Sequence, residues 1–130
     1  MELLTNILSE EEFRAELLNA MVFLAKHGVR DAGVAFGFAH ASPDLEDVGV
    51  RYPIPIAEVA SFIADREQTK GFRLGICDCW IEPSNLDARF HFCNDRDVHF
   101  TSESAGLLDS IRSHWRKKGF KIYPDDHGKV

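Results

Sequence analysis

The sequence predicts an α+β domain in which about four to five antiparallel strands form a sheet and three helices pack on it. Residues 71–101 alternate apolar and polar side chains between clusters of turn residues, which is typical of a meander of three consecutive strands. Apolar residues before and after this stretch recur at helical spacing. With 130 residues, 45% of them hydrophobic, the chain suits one globular domain over residues 1–130.

Residues 9–28 are predicted to form the first helix. Ser9 can cap its N-terminus and Glu12 falls at the third helical position, which is the pattern of a capping box. Gly28 suits the C-terminal end. The residues before Ser9 are rich in leucine and isoleucine and fit either a short helix or a strand. The buried stripe of the helix is expected to comprise Phe13, Leu17, Ala20, Met21 and Leu24.

The next segments predict a strand, a loop, a short extended piece and a second helix. Residues 33–40 alternate large and small side chains, which predicts a strand, and residues 42–49 are expected to form a surface loop. Residues 50–54 can extend only briefly, because Pro53 and Pro55 limit them. The second helix is expected to start near Pro55 and to end before Gly71, with Ile56, Val59, Ala60 and Ile63 on its apolar face.

The hairpin within residues 88–101 has a well-specified predicted register. Pairing Phe92 with Val98 and Phe90 with Phe100 gathers four large apolar side chains on one face. A slip of one residue would scatter them, so this register is strongly favoured. The opposite face is then polar and carries Arg89, His91, Cys93, Asp97, His99 and Thr101.

The first strand of the meander, predicted over residues 72–82, can be oriented in two ways. If its cysteines share a face with Phe90 and Phe92, then Asp78 and Trp80 lie beside His91. In the other orientation Cys77 and Cys79 share a face with His91 and Cys93. The sequence leaves both registers open, and they imply different chemistry.

A third helix is predicted after the hairpin, capped by Thr101 or Ser102 and closed by Gly119. Leu108, Ile111 and Trp115 share one face of it and are expected to dock on the apolar face of the hairpin. A short strand follows over residues 120–123, and the tail over residues 125–130 is expected to be mobile.

Composition favours a cytoplasmic protein. The N-terminus lacks the basic and apolar regions of a signal peptide, and no apolar run approaches the ~18 residues that span a bilayer. Three cysteines, an odd number, are expected to be reduced thiols. The net charge of −6 makes nucleic acid a poor match as a partner, because phosphate contacts require clustered basic residues.

No metal ion, cofactor or catalytic residue is expected from the motifs. Cys77-x-Cys79 and His91-x-Cys93 differ from the C-x2-4-C turns of structural zinc sites, and a flat strand pair spreads its side chains widely. His91 and Cys93 alternate along one strand, so we expect their side chains to run parallel instead of converging as a nucleophile and its base.

Two surfaces remain as candidates. The polar sheet face is a candidate ligand-binding site, and the end of the third helix is a candidate patch for an anionic partner. The favoured function is a small non-catalytic binding or regulatory domain that acts on another protein or self-associates as a homodimer. The alternative is a small-ligand-binding protein or an enzyme that uses the polar sheet face. The residues of the sheet-face site are Asp78, Trp80, Arg89, His91 and His99, and those of the basic patch are Arg112, Arg116, Lys117, Lys118 and Lys121.

Overall fold

A computed structural model describes residues 1–37, 49–69 and 71–124 of the chain. Its three α-helices are α1 (Glu10–Lys26), α2 (Val59–Thr69), which a single 3-10 turn at Ile56–Glu58 precedes, and α3 (Ala105–Lys117). The strands are β1 (Glu2–Thr5), β2 (Asp31–Phe36), β3 (Arg51–Pro55), β4 (Cys79–Pro83), β5 (Arg89–Phe92), β6 (Val98–Thr101) and β7 (Ile122–Tyr123).

The strands form one seven-stranded sheet in the order β3-β2-β4-β5-β6-β1-β7, and every neighbouring pair is antiparallel. This confirms the predicted α+β class with three helices and an antiparallel sheet. The predicted number of four to five strands was wrong. One of the additional strands is β1, which lies between β6 and β7 and pairs Leu3 with Phe100.

Some strand boundaries were predicted incorrectly or only weakly, and the structure shows why. The prediction that residues 72–82 form one strand was wrong in its first half, since β4 begins at Cys79. Gly71 and Gly75 have positive φ values and the amide of Cys77 donates to the carbonyl of Arg73, so this part of the chain forms turns. The edge strands give weak signals in the sequence, because β3 includes Pro53 and Pro55 and β7 has only two residues. The predicted strand end at 38–40, most of the loop at 42–49 and the tail at 125–130 lie outside the described residues.

All three helices cover the same face of the sheet. On this face Phe13 of α1 meets Phe92 edge-to-face at 5.6 Å, and Phe62 of α2 stacks on Phe36 at 5.9 Å. The buried side chains of α3 join the same hydrophobic core. The residues between the core positions of β1, β5 and β6 stay partly or fully exposed, so the described helices leave the other face uncovered.

Helix ends agree with the sequence at α1 and differ at α3. Ser9 and Glu12 form the predicted capping box, with each side chain accepting from the other residue's backbone N–H. Helix α3 is instead capped by Ser104, whose hydroxyl accepts from the amide of Leu107. The backbone of Ser102 is held at β1, since its carbonyl accepts from the N-terminal amine of Met1 at 2.9 Å.

Among the described residues, no helix has both the length and the apolar character needed to cross a membrane.

Candidate functional site

The uncovered face of the sheet, called here the open face, carries one row of side chains that crosses all seven strands. Each member of the row is the direct cross-strand partner of the next. Side chains paired in this way have Cβ atoms about 4.5–5.5 Å apart, so they form a continuous strip. In order across the sheet, the row consists of Arg51, Ala35, Trp80, His91, His99, Leu4 and Tyr123.

The register of β4 decides between the two orientations that the sequence left open. Cys79 pairs with Phe92 and is fully buried, so the cysteine side of β4 faces the core. Asp78 and Trp80 therefore lie beside His91 on the open face. The alternative set of four potential zinc ligands does not form, because Cys77 is also buried in the core, away from His91.

Asp78 fixes the position of His91. Nε2 of the imidazole lies 2.9 Å from Oδ1 of Asp78, and the same oxygen accepts from the amide of Asn94 at 3.0 Å. The side chains of His91 and Asp78 are only 21% and 16% exposed. The pair is thus a semi-buried His–carboxylate hydrogen bond, with its carboxylate anchored to the backbone.

Trp80 is packed between His91 and the backbone at Gly37, the residue that follows β2. Its indole stacks on the imidazole with ring centroids 4.6 Å apart and planes at 16°. Its other neighbour is Gly37, where an added Cβ would lie 2.5 Å from the indole. Only a glycine allows the ring to lie this close to the strand, so the chain at Gly37 is shaped to hold Trp80.

His99 lies between two carboxylates. Its Nε2 is 2.9 Å from Oδ1 of Asp97 and its Nδ1 is 3.3 Å from Oε2 of Glu2. The imidazole rings of His91 and His99 are 5.0 Å apart between centroids. The two histidines therefore form a single cluster, each held by an acidic side chain.

Cys93 completes this cluster. Its Sγ and one nitrogen each of His91 and His99 lie within 4.8 Å of one another, and Sγ also lies within 4.8 Å of carboxylate oxygens of Asp95 and Asp97. Burial, together with the nearby carboxyls of Asp97 and Asp95, raises the pKa of the Cys93 thiol to about 12. Without a cation nearby the thiol is therefore protonated and a poor nucleophile at neutral pH.

The two carboxyls next to Cys93 also perturb each other. Burial, followed by the hydrogen bond to Asp95, raises the pKa of Asp97. Burial also acts to raise the pKa of Asp95, but its hydrogen bonds to Asp97 and Cys93 hold that pKa below the usual value. The pair thus resists losing both protons, as expected for two acidic groups in contact.

Arg89 lies in a separate group of charges. Its Nε is 3.1 Å from Oε1 of Glu82, and Oε2 of Glu82 is 2.9 Å from Nη2 of Arg51. The glutamate thus bridges two exposed guanidinium groups: Arg51 lies at the end of the row that contains the histidines, and Arg89 lies one row away. Four of the five predicted ligand-binding residues share one cluster, and Arg89 belongs to the neighbouring ion-pair chain.

The described residues form a cleft of ≈ 260 Å³ on the open face, towards the β3 edge. None of the five predicted ligand-binding residues lines it. Its walls are formed by Asp31, Ala32, Gly33, Arg51, Pro53, Glu82, Pro83 and Ser84.

The predicted basic patch lies at the C-terminal end of α3 and just beyond it. Arg112 differs from the other members: its side chain is 15% exposed and its Nη1 donates to Oδ1 of Asp109 at 3.1 Å. The members that present exposed cationic side chains are Arg116, Lys117, Lys118 and Lys121.

The sequence-based site omitted Cys93, Asp97 and Glu2, which complete the histidine cluster. Cys93 and Asp97 were predicted to lie on the polar face, and the alternation of Asp97 and His99 is a signal that they share it. Glu2 gave no such signal, because its place depends on a pairing between β1 and β6 that joins distant parts of the chain.

No protein-family model matches the chain, and neither a curated protein nor a solved structure matches it significantly.

Proposed function

We propose that this protein is a small, non-catalytic binding module that acts on another protein through the open face of its sheet. One observation carries the proposal: a continuous row of side chains crosses seven strands, and the described helices all lie on the other side. An antiparallel sheet with one open face is an ordinary arrangement. The row includes Arg51, Trp80 and Tyr123, and arginine, tryptophan and tyrosine are enriched in protein interfaces.

The polar groups on this face suit burial by a partner. The acidic partners of His91 and His99 are already within hydrogen-bonding distance, and Glu82 neutralises two arginines. Charges that are paired before association lose less solvation when a partner covers them than isolated charges do. Trp80, held rigid by Gly37 and His91, adds apolar area with little conformational entropy to lose.

The charge of the face favours a partner with a basic surface. The described residues of the face include five carboxylates and two guanidinium groups, so the formal charge of this set is negative when the histidines are neutral. Attraction between complementary surfaces mainly accelerates association and selects the partner. The groups counted are Glu2, Asp31, Asp78, Glu82 and Asp97 against Arg51 and Arg89.

The experiment compares variants of the two candidate surfaces. The wild type, Trp80→Ala and Lys117→Ala would each be produced in the native cells, crosslinked there to any partner, and then purified. We expect a basic partner that binds wild type and Lys117→Ala equally, binds Trp80→Ala at least about tenfold more weakly, and weakens with salt. A partner that binds all three equally, or no partner at all, would contradict the proposal.

A second copy of the chain is the other possible protein partner, and the sedimentation of the purified protein tests it. If wild type is a dimer and Trp80→Ala a monomer at the same concentration, the open face is a homodimer interface. If both are monomers, the partner is a different protein.

A small-ligand-binding function is the second candidate. The observation that favours it is the tight group of Asp78, Trp80 and His91, in which an aromatic ring and a His–carboxylate pair are adjacent. A ligand held there should raise the melting temperature of wild type and leave that of His91→Ala unchanged. A library of metabolites with no such selective effect would remove this candidate.

The proposal includes a cytosolic location. All three cysteines are free, and two of them are buried in the core as thiols. Free thiols are the usual state in a reducing compartment. Fractionation of the native cells, with antibody detection of the protein, tests this part.

A further inference from the structure

We propose that His91, Cys93, His99 and Asp97 bind a divalent transition-metal ion, with Zn²⁺ as the best match. The inference does not depend on the proposed protein partner, because it concerns the isolated chain. It departs from our expectation, based on the sequence, that no metal is held here. That expectation assumed that side chains on flat strands spread too widely, and the pairing of β5 with β6 instead brings His99 next to His91.

The distances fit a tetrahedral ion after a small adjustment. Sγ of Cys93 and one nitrogen of each histidine lie within 4.8 Å of one another. Zinc bonds of about 2.0 Å to nitrogen and 2.3 Å to sulfur place tetrahedral ligands roughly 3.3–3.8 Å apart. The three atoms thus need to approach by about 1.5 Å at most, which small side-chain rotations can supply.

Asp97 supplies the fourth ligand. Its Oδ1 lies 2.9 Å from Nε2 of His99, and one of its carboxylate oxygens lies within 4.8 Å of the Cys93 sulfur. Two imidazoles, one thiolate and one carboxylate are ligand types that zinc accepts in proteins. The harder ions Mg²⁺ and Ca²⁺ prefer oxygen ligands throughout, so this mixture selects against them.

The surroundings resemble the support that metal-binding histidines usually have. Asp78 hydrogen-bonds one nitrogen of His91, and Glu2 lies 3.3 Å from Nδ1 of His99. Carboxylates in this position orient the ring and raise its basicity towards a metal. Among the described histidines, His91 and His99 both have such a carboxylate and also approach the same thiol.

A cation would also relieve the unfavourable charges of the cluster. Cys93, Asp95 and Asp97 crowd three acidic groups together, with one ligand atom of each lying within 4.8 Å of the others. Binding of Zn²⁺ would form a zinc–thiolate bond and release the Cys93 proton to solvent. The thiolate and the Asp97 carboxylate would then balance the two positive charges of the ion.

The test is titration of the full chain, freed of metal by a chelator, with Zn²⁺ and separately with Co²⁺. We expect one ion per chain, proton release on binding, and an affinity that rises with pH. With Co²⁺ we expect a sulfur-to-metal charge-transfer band in the near ultraviolet. Cys93→Ser should abolish this band. His99→Gln should weaken Zn²⁺ binding by at least about tenfold, since even mutations of residues that only hydrogen-bond a metal ligand lower metal affinity ~10–100-fold.

Two control variants remove the same chemical groups elsewhere. Cys79→Ala deletes a thiol from the core face, and His27→Gln alters an exposed histidine at the end of α1. Both should keep the single site and the cobalt band. The proposal is overturned if wild type binds no ion at one equivalent, or if a folded Cys93→Ser/His99→Gln double variant binds Zn²⁺ as wild type does. Because these measurements use the purified chain alone, they can fail while the proposed partner binding stands.

Discussion

Phe92 and His91 are neighbours in β5 and lie in opposite environments. Phe92 faces the helices, is fully buried and touches the ring of Phe13. His91 faces the other way, remains 21% exposed and touches a carboxylate, an indole and a second imidazole. The covered face thus gathers aromatic rings that stabilise the fold by burial, whereas the open face gathers imidazole, indole and carboxylate groups that stay in contact with solvent.

The difference between the two faces also appears in their acidic groups. On the helix side, Glu67 of α2 is matched by Arg14 of α1 through two hydrogen bonds of 3.0 and 2.7 Å. On the open face, Asp97 meets Asp95 and Cys93 and lacks a comparable match among the described guanidinium groups. Unfavourable clusters of this kind concentrate at functional sites in natural proteins, and this is the basis on which we propose a function for the open face.

The largest expected effect is that of Phe92→Ala, which is compared with His91→Ala at the neighbouring position. Phe92→Ala should lower the free energy of unfolding by about 3–5 kcal/mol, because it leaves a cavity in the core. His91→Ala should cost about 1 kcal/mol, the usual value of one hydrogen bond. Urea denaturation of both variants measures the contrast. Equal losses would mean that the open face is as important for stability as the core.

A loss of similar size is expected at Trp115, which is 1% exposed and lies on the inner side of α3. Trp115→Ala should cost about 3–5 kcal/mol. Lys117→Ala, two residues further on the exposed side, should change stability by less than about 0.5 kcal/mol. If urea melts give the two variants equal stability, α3 does not dock as the structure describes.

The buried face of α3 was predictable because it depends on local periodicity. Leu108, Ile111 and Trp115 are spaced to share a face, and all three are buried. The hairpin register was predictable for a similar reason: the pairs Phe90–Phe100 and Phe92–Val98 are those observed. Both inferences needed only short segments in which one arrangement buries the large side chains.

The composition of the site was harder to predict, because it depends on contacts between distant segments. Asp78 meets His91 only in one of two registers of β4, and the sequence favoured neither. The residues that complete the cluster come from the start of the chain and from the turn that precedes β6. Sequence periodicity assigns a residue to a face, but it does not reveal which strand lies beside it.

A smaller effect is expected at the contact between α1 and α3. Glu16 is 4% exposed, and its two carboxylate oxygens each lie 3.1 Å from Nε2 of His114. His114→Ala should lower the free energy of unfolding by about 1–3 kcal/mol, because the buried carboxylate of Glu16 loses its hydrogen bond to the imidazole. Thermal or urea unfolding measures the loss.

A second substitution distinguishes this cause from a general effect on the helix. Glu16→Gln in the His114→Ala background removes the buried charge and should recover part of the stability. Ser113→Ala, at an exposed position of α3, serves as the matched control and should be close to neutral. If the Glu16→Gln change brings no recovery, the contact is not an important source of stability.

The smallest expected effects are those of one carboxyl on each face, Glu67 on the helix side and Asp97 on the open face. Because their effects on stability should have opposite signs, they test the contrast between the faces directly. Burial raises the pKa of Glu67, but the hydrogen bonds from Arg14 and the Leu74 amide outweigh it and hold that pKa below the usual value. The ionised form is therefore favoured by folding. This contribution is present above the unfolded pKa of about 4.3 and is lost as the pH falls through the folded pKa.

Asp97 should behave in the opposite way, because its pKa in the folded protein is raised by burial and by Asp95. Its favourable contribution is present below the unfolded pKa of about 3.9 and is lost as the pH rises through the folded pKa. At pH 7, Glu67→Gln should therefore lower stability by about 0.2–1 kcal/mol. Asp97→Asn should raise it by up to about 0.5 kcal/mol in metal-free protein.

Urea titrations of wild type and both variants between pH 3 and 7 test this pair of signs. The difference at Asp97 should shrink as the pH falls towards about 3, because its carboxyl is then protonated in the folded and unfolded chains alike. The difference at Glu67 should shrink as the pH falls below about 4.3 and through the lowered pKa of the folded state. A loss of stability in Asp97→Asn at pH 7 would mean that the hydrogen bond to His99 outweighs the repulsion, and the open face would then not be strained. If Asp97→Asn is stabilising without metal and less stable than wild type with Zn²⁺ present, the same carboxylate destabilises the empty site and supports the filled one. That reversal would tie the strain of the open face directly to the binding of a cation.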